Sequence, residues 1–113
     1  MIEDQVILVE CIGPVMHVTL SRPEVLNALN SDAHFLLEEA FNRFARDSEL
    51  QIATITGSGD RSFCAGADLG ARLKEEADRL PETGFAGLTE RFDLTKPVVA
   101  LVNGDAIGGG LEI

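Results

Sequence analysis

Two short stretches of small residues stand out as places where the backbone itself can do chemistry. One is Ala65-Gly66-Ala67, followed by Asp68; the other is Gly108-Gly109-Gly110, followed by Leu111 and the acid Glu112. Glycine lets a main chain approach a ligand closely and take dihedrals that other residues resist. If a helix opens at the triple glycine, its first N–H groups have no internal partner and carry partial positive charge. Such donors can hold an oxyanion. A carboxylate beside them, here Glu112, is a candidate acid or base. Each stretch also has a plainer reading, a tight turn in a packed core, with Glu112 exposed at a helix start.

The elements that must position these stretches follow from hydrophobic periodicity. Gln5–Cys11 and Val15–Leu20 are apolar runs rich in strand formers, broken by Ile12-Gly13-Pro14, and read as a β-hairpin. His17, inside the second run, reads as a surface or packing residue. After the polar turn Ser21–Glu24, Ser31 is a good N-cap. Ala33, Leu36, Leu37, Ala40, Phe41 and Phe44 then recur at helical spacing, the apolar stripe of an amphipathic helix. Glu38, Glu39, Asn42, Arg43 and Arg46 fall off that stripe and read as solvated, as does His34. Gln51–Thr56 is a strand, ended by Gly57-Ser58-Gly59-Asp60. Strand, helix and strand in that order imply a crossover with parallel pairing, hence an α/β fold.

Beyond the first small-residue corner, Asp68 can begin a helix. Arg72, Lys74, Glu75, Glu76, Asp78, Arg79 and Glu82 form a mixed-charge run that reads as a surface helix ending near Pro81. Gly84–Phe92 reads as a loop and a further helix, because Leu88 and Phe92 are four apart. Val98–Val102, bounded by Pro97 and Gly104, is β-branched and apolar and reads as a buried strand.

The totals narrow the classes. The 113 residues fit one domain that can bury a modest core. A 45% apolar and 25% charged composition is ordinary for a globular chain. No apolar run approaches the ~20 residues that span a membrane, and the acidic N-terminus lacks the basic start of a signal peptide. These features lead to the expectation of a cytoplasmic protein with no membrane partner. The net charge of −10 argues against a nucleic-acid surface. Cys11, Cys64, His17 and His34 have no metal-site spacing, so no metal is expected.

Three separated segments together resemble one family. They are Leu20-Ser21-Arg22-Pro23 with Leu26-Asn27-Ala28-Leu29; Ile55-Thr56-Gly57 through Phe63-Cys64-Ala65-Gly66-Ala67-Asp68-Leu69; and Lys96-Pro97-Val98 through Asn103-Gly104 to Gly108-Gly109-Gly110-Leu111-Glu112. They resemble the N-terminal signature and the two oxyanion segments of the enoyl-CoA hydratase/isomerase (crotonase) superfamily, over nearly the whole chain. Gly84–Phe92 followed by Lys96-Pro97 is similar to the carnitinyl-CoA dehydratase (crotonobetainyl-CoA hydratase) subgroup.

The resemblance implies a crotonase-like ββα spiral, the ClpP/crotonase fold, of which residues 1–113 would be the N-terminal half, ending after the second oxyanion segment. It implies an acyl-CoA thioester as substrate, with coenzyme A part of that substrate and no separate cofactor. The two oxyanion N–H donors fall on Ala67 and Gly109, which also bind substrate together with Asp68, Leu69 and Gly70. The first catalytic acid falls on Glu112. CoA contacts fall around Glu24, Val25 and Leu26, although the family often has a basic residue where this chain has Glu24. Arg22, Arg72, Lys74 and Lys96 are further candidates for holding the anionic CoA. Hydratases of the family use two glutamates, and only one has a counterpart here. The expectation is therefore a homotrimeric or hexameric parent enzyme, with this piece inactive or nearly so on its own.

Other classes stay open. A non-catalytic acyl-CoA-binding fragment would use the same N–H pair. Isomerase and other reactions of the superfamily share the enolate. A nucleotide-binding α/β domain would use Gly57-x-Gly59 or the triple glycine, but neither has the full phosphate-loop pattern.

Overall fold

In the computed structural model, which describes residues 5–70 and 79–113, Gly13-Pro14 closes a two-residue turn between antiparallel strands β1 (Ile7–Ile12) and β2 (Val15–Leu20). Gly13 has φ 57°, a left-handed value that suits glycine. Helix α1 (Ser31–Arg46) follows and returns the chain to β3 (Ile52–Gly57), which pairs in parallel with β2. Strand β5 (Val98–Leu101) then pairs in parallel with β3, giving a four-stranded sheet in the order β1-β2-β3-β5. A second, two-stranded parallel sheet holds β4 (Ser62–Cys64) and β6 (Asp105–Ala106). The last element is the four-residue helix α2 (Gly109–Glu112). After the hairpin, each pass of the chain thus places one strand in each sheet, β3 then β4, β5 then β6.

The core lies between α1 and the large sheet. Met16, Val18 and Leu20 alternate inward from β2, and Ala53 and Ile55 from β3. They meet Ala33, Leu37, Ala40, Phe41 and Phe44 of α1, with Phe63 and Cys64 arriving from the small sheet. This is the period-two pattern of a sheet with one buried face, set against the 3.6 period of a helix.

Several local expectations change. Asn30, not Ser31, caps α1: its extended backbone lies outside the helix and its Oδ1 accepts the Ala33 N–H at 2.9 Å. Leu36 is 40% exposed, and His34 takes its place on the buried face at 4%. Residues 84–92 form no α-helix. One 3-10-type turn spans Phe85–Gly87, and no helix propagates from it because Ala86 (φ 59°) and Gly87 (φ 67°) both turn left-handed. β5 is an exposed strand rather than a buried one: Val99 and Leu101 are 40% and 48% accessible. It pairs with β3 along one edge, and among the described residues nothing covers its outer face. Arg72, Lys74, Glu75, Glu76 and Asp78 of the charge run lie outside the described residues, while Arg79 stacks over the Phe35 ring at 5.7 Å.

Candidate active site

The first small-residue corner is fixed by the N-terminal signature. Leu26 C=O accepts the Ala65 N–H at 3.1 Å, and Gly66 C=O accepts the Leu29 N–H at 2.8 Å. Leu29 C=O in turn accepts the Asp68 N–H at 2.9 Å. The last two bonds form a parallel bridge that flanks Ala67. Peptide groups alternate in direction along extended backbone, so the Ala67 N–H faces away from Leu29. Among the described residues it donates to nothing. Arg22 adds an ion pair to Asp68 at 2.9 Å, with both side chains about seven-eighths buried (14% and 13% exposed), and its Nη1 donates to Ala28 C=O.

The second segment leans on the first. Ile107 donates its N–H to Cys64 C=O at 3.0 Å, and Gly110 packs so closely on that carbonyl that a side chain there would overlap it. A methyl placed on Gly66 would stand 3.3 Å from the Gly109 nitrogen. The Gly110 N–H is engaged by Ile107 C=O at 2.9 Å, whereas the Gly109 N–H, like that of Ala67, has no acceptor among the described residues. The two unengaged amides therefore sit on touching segments. At four residues α2 is too short for a macrodipole argument, so any anion affinity here comes from the amides themselves. Glu112 lies one turn beyond Gly109, at i+3 and so on the same helical face, with its side chain exposed.

The remaining predicted residues divide. Leu69 and Gly70 follow Asp68 and are exposed, on the outside of the corner. Glu24 and Val25 lie on an exposed 3-10 turn (Pro23–Val25), and Leu26 follows it with φ 57°. Lys96 is not available for an anionic ligand. Its ammonium donates to the carbonyls of Phe44, Asp47 and Leu50 at 2.6–2.8 Å and closes the C-terminal end of α1. Arg22 is likewise held by Asp68. Gly57 is a packing glycine rather than part of a phosphate loop, since a side chain there would run into Phe63 C=O and the Asn27 amide.

Periodicity passed over several residues that hold the site. Asn27, 1% exposed, accepts the Arg22 N–H and donates to Ser58 and Ser62 C=O at 3.0 and 2.9 Å. Asn103 accepts the Gly57 N–H at 3.0 Å and donates to Gly59 and Ser62 C=O. Together they clamp the loop that leads into the first corner. The available signal was residue type, since asparagine both tolerates left-handed backbone and bonds main-chain groups. His34 accepts the Ala86 N–H at Nδ1 (2.9 Å), so that nitrogen carries no proton, and Phe85 meets its ring edge-on at 4.4 Å. A groove of about 430 Å³ between β1 and α1, lined by Ile7, Val9, Leu36 and Arg43 among others, includes neither Ala67 nor Gly109. It is an open surface hollow whose polar lining, Glu39, Asn42, Arg43 and Arg46, comes from one face of α1, and it is not the site.

A family profile described as enoyl-CoA hydratase/isomerase matches residues 11–113. The chain belongs to the enoyl-CoA hydratase/isomerase family. Within that family it is 50% identical over 103 residues to a carnitinyl-CoA dehydratase of Salmonella enteritidis, an alignment covering 89% of this chain and 39% of the relative. The crystal structure of a carnitinyl-CoA hydratase from Mycobacterium avium superposes with a TM-score of 0.88 at 41% identity, over 96% of this chain and 42% of that one. An enoyl-CoA hydratase from Mycobacterium tuberculosis H37Rv superposes with a TM-score of 0.85 at 36% identity, over 95% and 41%. The fold is thus the N-terminal half of the crotonase fold. The chain spans about two fifths of the length of the relatives it matches.

Proposed function

We propose that the protein carrying this chain hydrates an α,β-unsaturated acyl-CoA thioester reversibly, through an enolate held by the Ala67 and Gly109 N–H groups. The observation that carries this reading is the pair of unengaged amides on touching segments, with Glu112 one turn away. Water adds its oxygen to Cβ while the π electrons move toward the carbonyl, placing negative charge on the thioester oxygen. Two fixed N–H donors favour that charge more than the neutral carbonyl, which lowers the barrier; losing one such donor costs about 2.7–4 kcal/mol in comparable sites. The enolate is then protonated at Cα. The two proton movements, off water and onto Cα, need positioned acid–base groups, and Glu112 is assigned one of them. Asp68, Leu69 and Gly70 would continue the substrate-binding surface from Ala67, and the exposed turn at Glu24, Val25 and Leu26 would lie along the CoA moiety. Coenzyme A enters as part of the substrate, with no further cofactor. A cytoplasmic homotrimer or hexamer completes the proposal; no helix among the described residues is long and apolar enough to cross a membrane.

The identity of about 50% to proteins named carnitinyl-CoA dehydratase favours a carnitinyl-CoA-type substrate over a plain fatty acyl chain. The test uses the protein expressed from its own gene, assayed in parallel on crotonyl-CoA, crotonobetainyl-CoA and a β,γ-unsaturated acyl-CoA. Hydration is expected, fastest on crotonobetainyl-CoA, with Glu112→Gln lowering the rate about 10²–10⁴-fold. Double-bond migration without hydration would replace the reading with an isomerase. Acyl-CoA binding without turnover would make the protein a binder, and binding of NAD or ATP in place of acyl-CoA would end the reading.

A further inference from the structure

The segment Gly84–Gly87 is among the most constrained of the described residues. Gly84, Ala86 and Gly87 all have positive φ (85°, 59° and 67°). For alanine that conformation is strained and persists only where its surroundings impose it. The surroundings do so from several sides. Gly87 lies against the α1 backbone at Leu37 and Glu38 with no room for a side chain. The Phe85 N–H donates to Thr89 Oγ1 at 2.9 Å, and the Ala86 N–H to the buried His34 at 2.9 Å. The imidazole also meets the Phe85 ring in an edge-to-face contact at 4.4 Å and 62°. What this turn delivers is one aromatic ring, pointed tip-first at Gly109. A methyl placed on Gly109 would come 2.6 Å from Phe85 Cζ, 2.8 Å from Cε1 and 3.1 Å from Cε2. The ring end thus rests on the backbone that carries the Gly109 amide.

We infer that Phe85, clamped by His34, is a positioning residue that sets the Gly109 N–H against the substrate carbonyl. The inference rests on the enolate-stabilising role proposed above for that amide. A rigid ring against a glycine resists movement toward it, and the Cys64 carbonyl against Gly110 restricts the next residue. The two contacts together limit how far the amide can shift. Donors that stabilise developing charge must already be in place when the charge appears, and a displacement of about 1 Å can cost about a hundredfold in rate.

The geometry makes an uncommon demand on substitutions. Phe85→Tyr, ordinarily the mildest exchange, adds an oxygen at Cζ, where Gly109 sits. Phe85→Leu shortens the side chain and leaves a gap. The test uses the protein expressed from its own gene, with crotonyl-CoA turnover, affinity for CoA alone, and the infrared carbonyl frequency of a bound, isotope-labelled acyl-CoA thioester. In the unaltered protein, binding is expected to lower the carbonyl frequency. Phe85→Tyr and Phe85→Leu are each expected to lower kcat about ten- to a hundredfold and to recover part of that frequency shift, with CoA affinity unchanged. His34→Gln, which keeps an acceptor for the Ala86 N–H but loses the ring, is expected to fall between them and the unaltered protein. Unchanged kcat and carbonyl frequency in Phe85→Tyr or Phe85→Leu would overturn the inference. If one variant fails to fold, the other decides. No frequency shift in the unaltered protein would instead remove the oxyanion reading on which the inference rests.

Discussion

Ala67 and Gly109 are each the third residue beyond a pair, Cys64 and Ala106, that face one another across the parallel strands β4 and β6. Parallel neighbours run about 4.8 Å apart. The strands thus bring the two segments, with Ala67 and Gly109 42 positions apart in the chain, to the same end of the small sheet. Past the strand ends the segments stay close: a methyl on Gly66 would stand 3.3 Å from the Gly109 nitrogen.

The glycines of the second segment differ in what they permit. Gly110 lies against the Cys64 carbonyl, while Gly108 (φ 57°) has open space around its Cα. Gly110→Ala is expected to destabilise the protein by about 2–4 kcal/mol through overpacking and backbone displacement. Gly108→Ala meets no neighbour but is expected to cost about 1–3 kcal/mol, because φ 57° with ψ −125° lies outside the left-handed helical region and favours glycine alone. Urea midpoints of the two variants check both values; a Gly110→Ala protein as stable as the unaltered one would contradict the packing of α2 on β4.

The Arg22–Asp68 pair ties the N-terminal signature to the first corner across a mostly buried contact. A double-mutant cycle with Arg22→Met and Asp68→Asn is expected to give a coupling of about 1–3 kcal/mol. The single variants would also displace the Ala67 amide and lower kcat. Additive effects, with coupling near zero, would mean the pair is screened and idle.

Lys96 holds three carbonyls at the C-terminal end of α1 and sits over the Phe44 ring at 4.9 Å. Lys96→Met removes three charge-assisted bonds and leaves acceptors partly unsatisfied. A loss of about 2–4 kcal/mol in unfolding free energy is expected. Lys96→Arg should not restore it, because a planar guanidinium does not match three convergent oxygens. Full stability of Lys96→Arg would show that charge alone suffices there.

The hairpin, α1 and the strand–helix–strand order were legible in the sequence because their apolar residues repeat at the periods of strand and helix. The two small-residue stretches were legible as tight corners, at Ala65–Ala67 beside Leu29 and at Gly108–Gly110 opening α2, because small residues in a row suit close backbone approach. His34 was misjudged because its partner, Ala86, is 52 residues away and nothing local marks it. Lys96 was misjudged for the same reason, with acceptors 46–52 positions back. The exposure of β5 was hidden because an apolar run records composition and not what covers it. The turn at 84–87 was invisible to periodicity, since left-handed backbone at an alanine is imposed by tertiary contacts.

The two cysteines provide a check on burial at the site. Cys11 is exposed, and burial raises the pKa of the Cys64 thiol above its ordinary value, partly offset by a hydrogen bond from the Gly66 backbone. Cys11 is therefore expected to alkylate readily at pH 8 while Cys64 reacts only on unfolding, read by mass spectrometry of the modified peptides. The folded state holds the Cys64 proton more tightly than the unfolded state. Its contribution to stability is thus complete below the ordinary thiol pKa and is lost as pH rises through the raised folded value. Equal labelling of the two thiols in the folded protein would place Cys64 at the surface.

The most direct test of the central claim is a crystal structure of the protein, expressed from its own gene, with a non-reacting acyl-CoA analogue bound. The thioester oxygen is expected about 2.7–3.1 Å from both the Ala67 and the Gly109 nitrogens, the range of a working oxyanion pair. A carbonyl held by only one of these amides, or bound elsewhere on the molecule, would contradict the account.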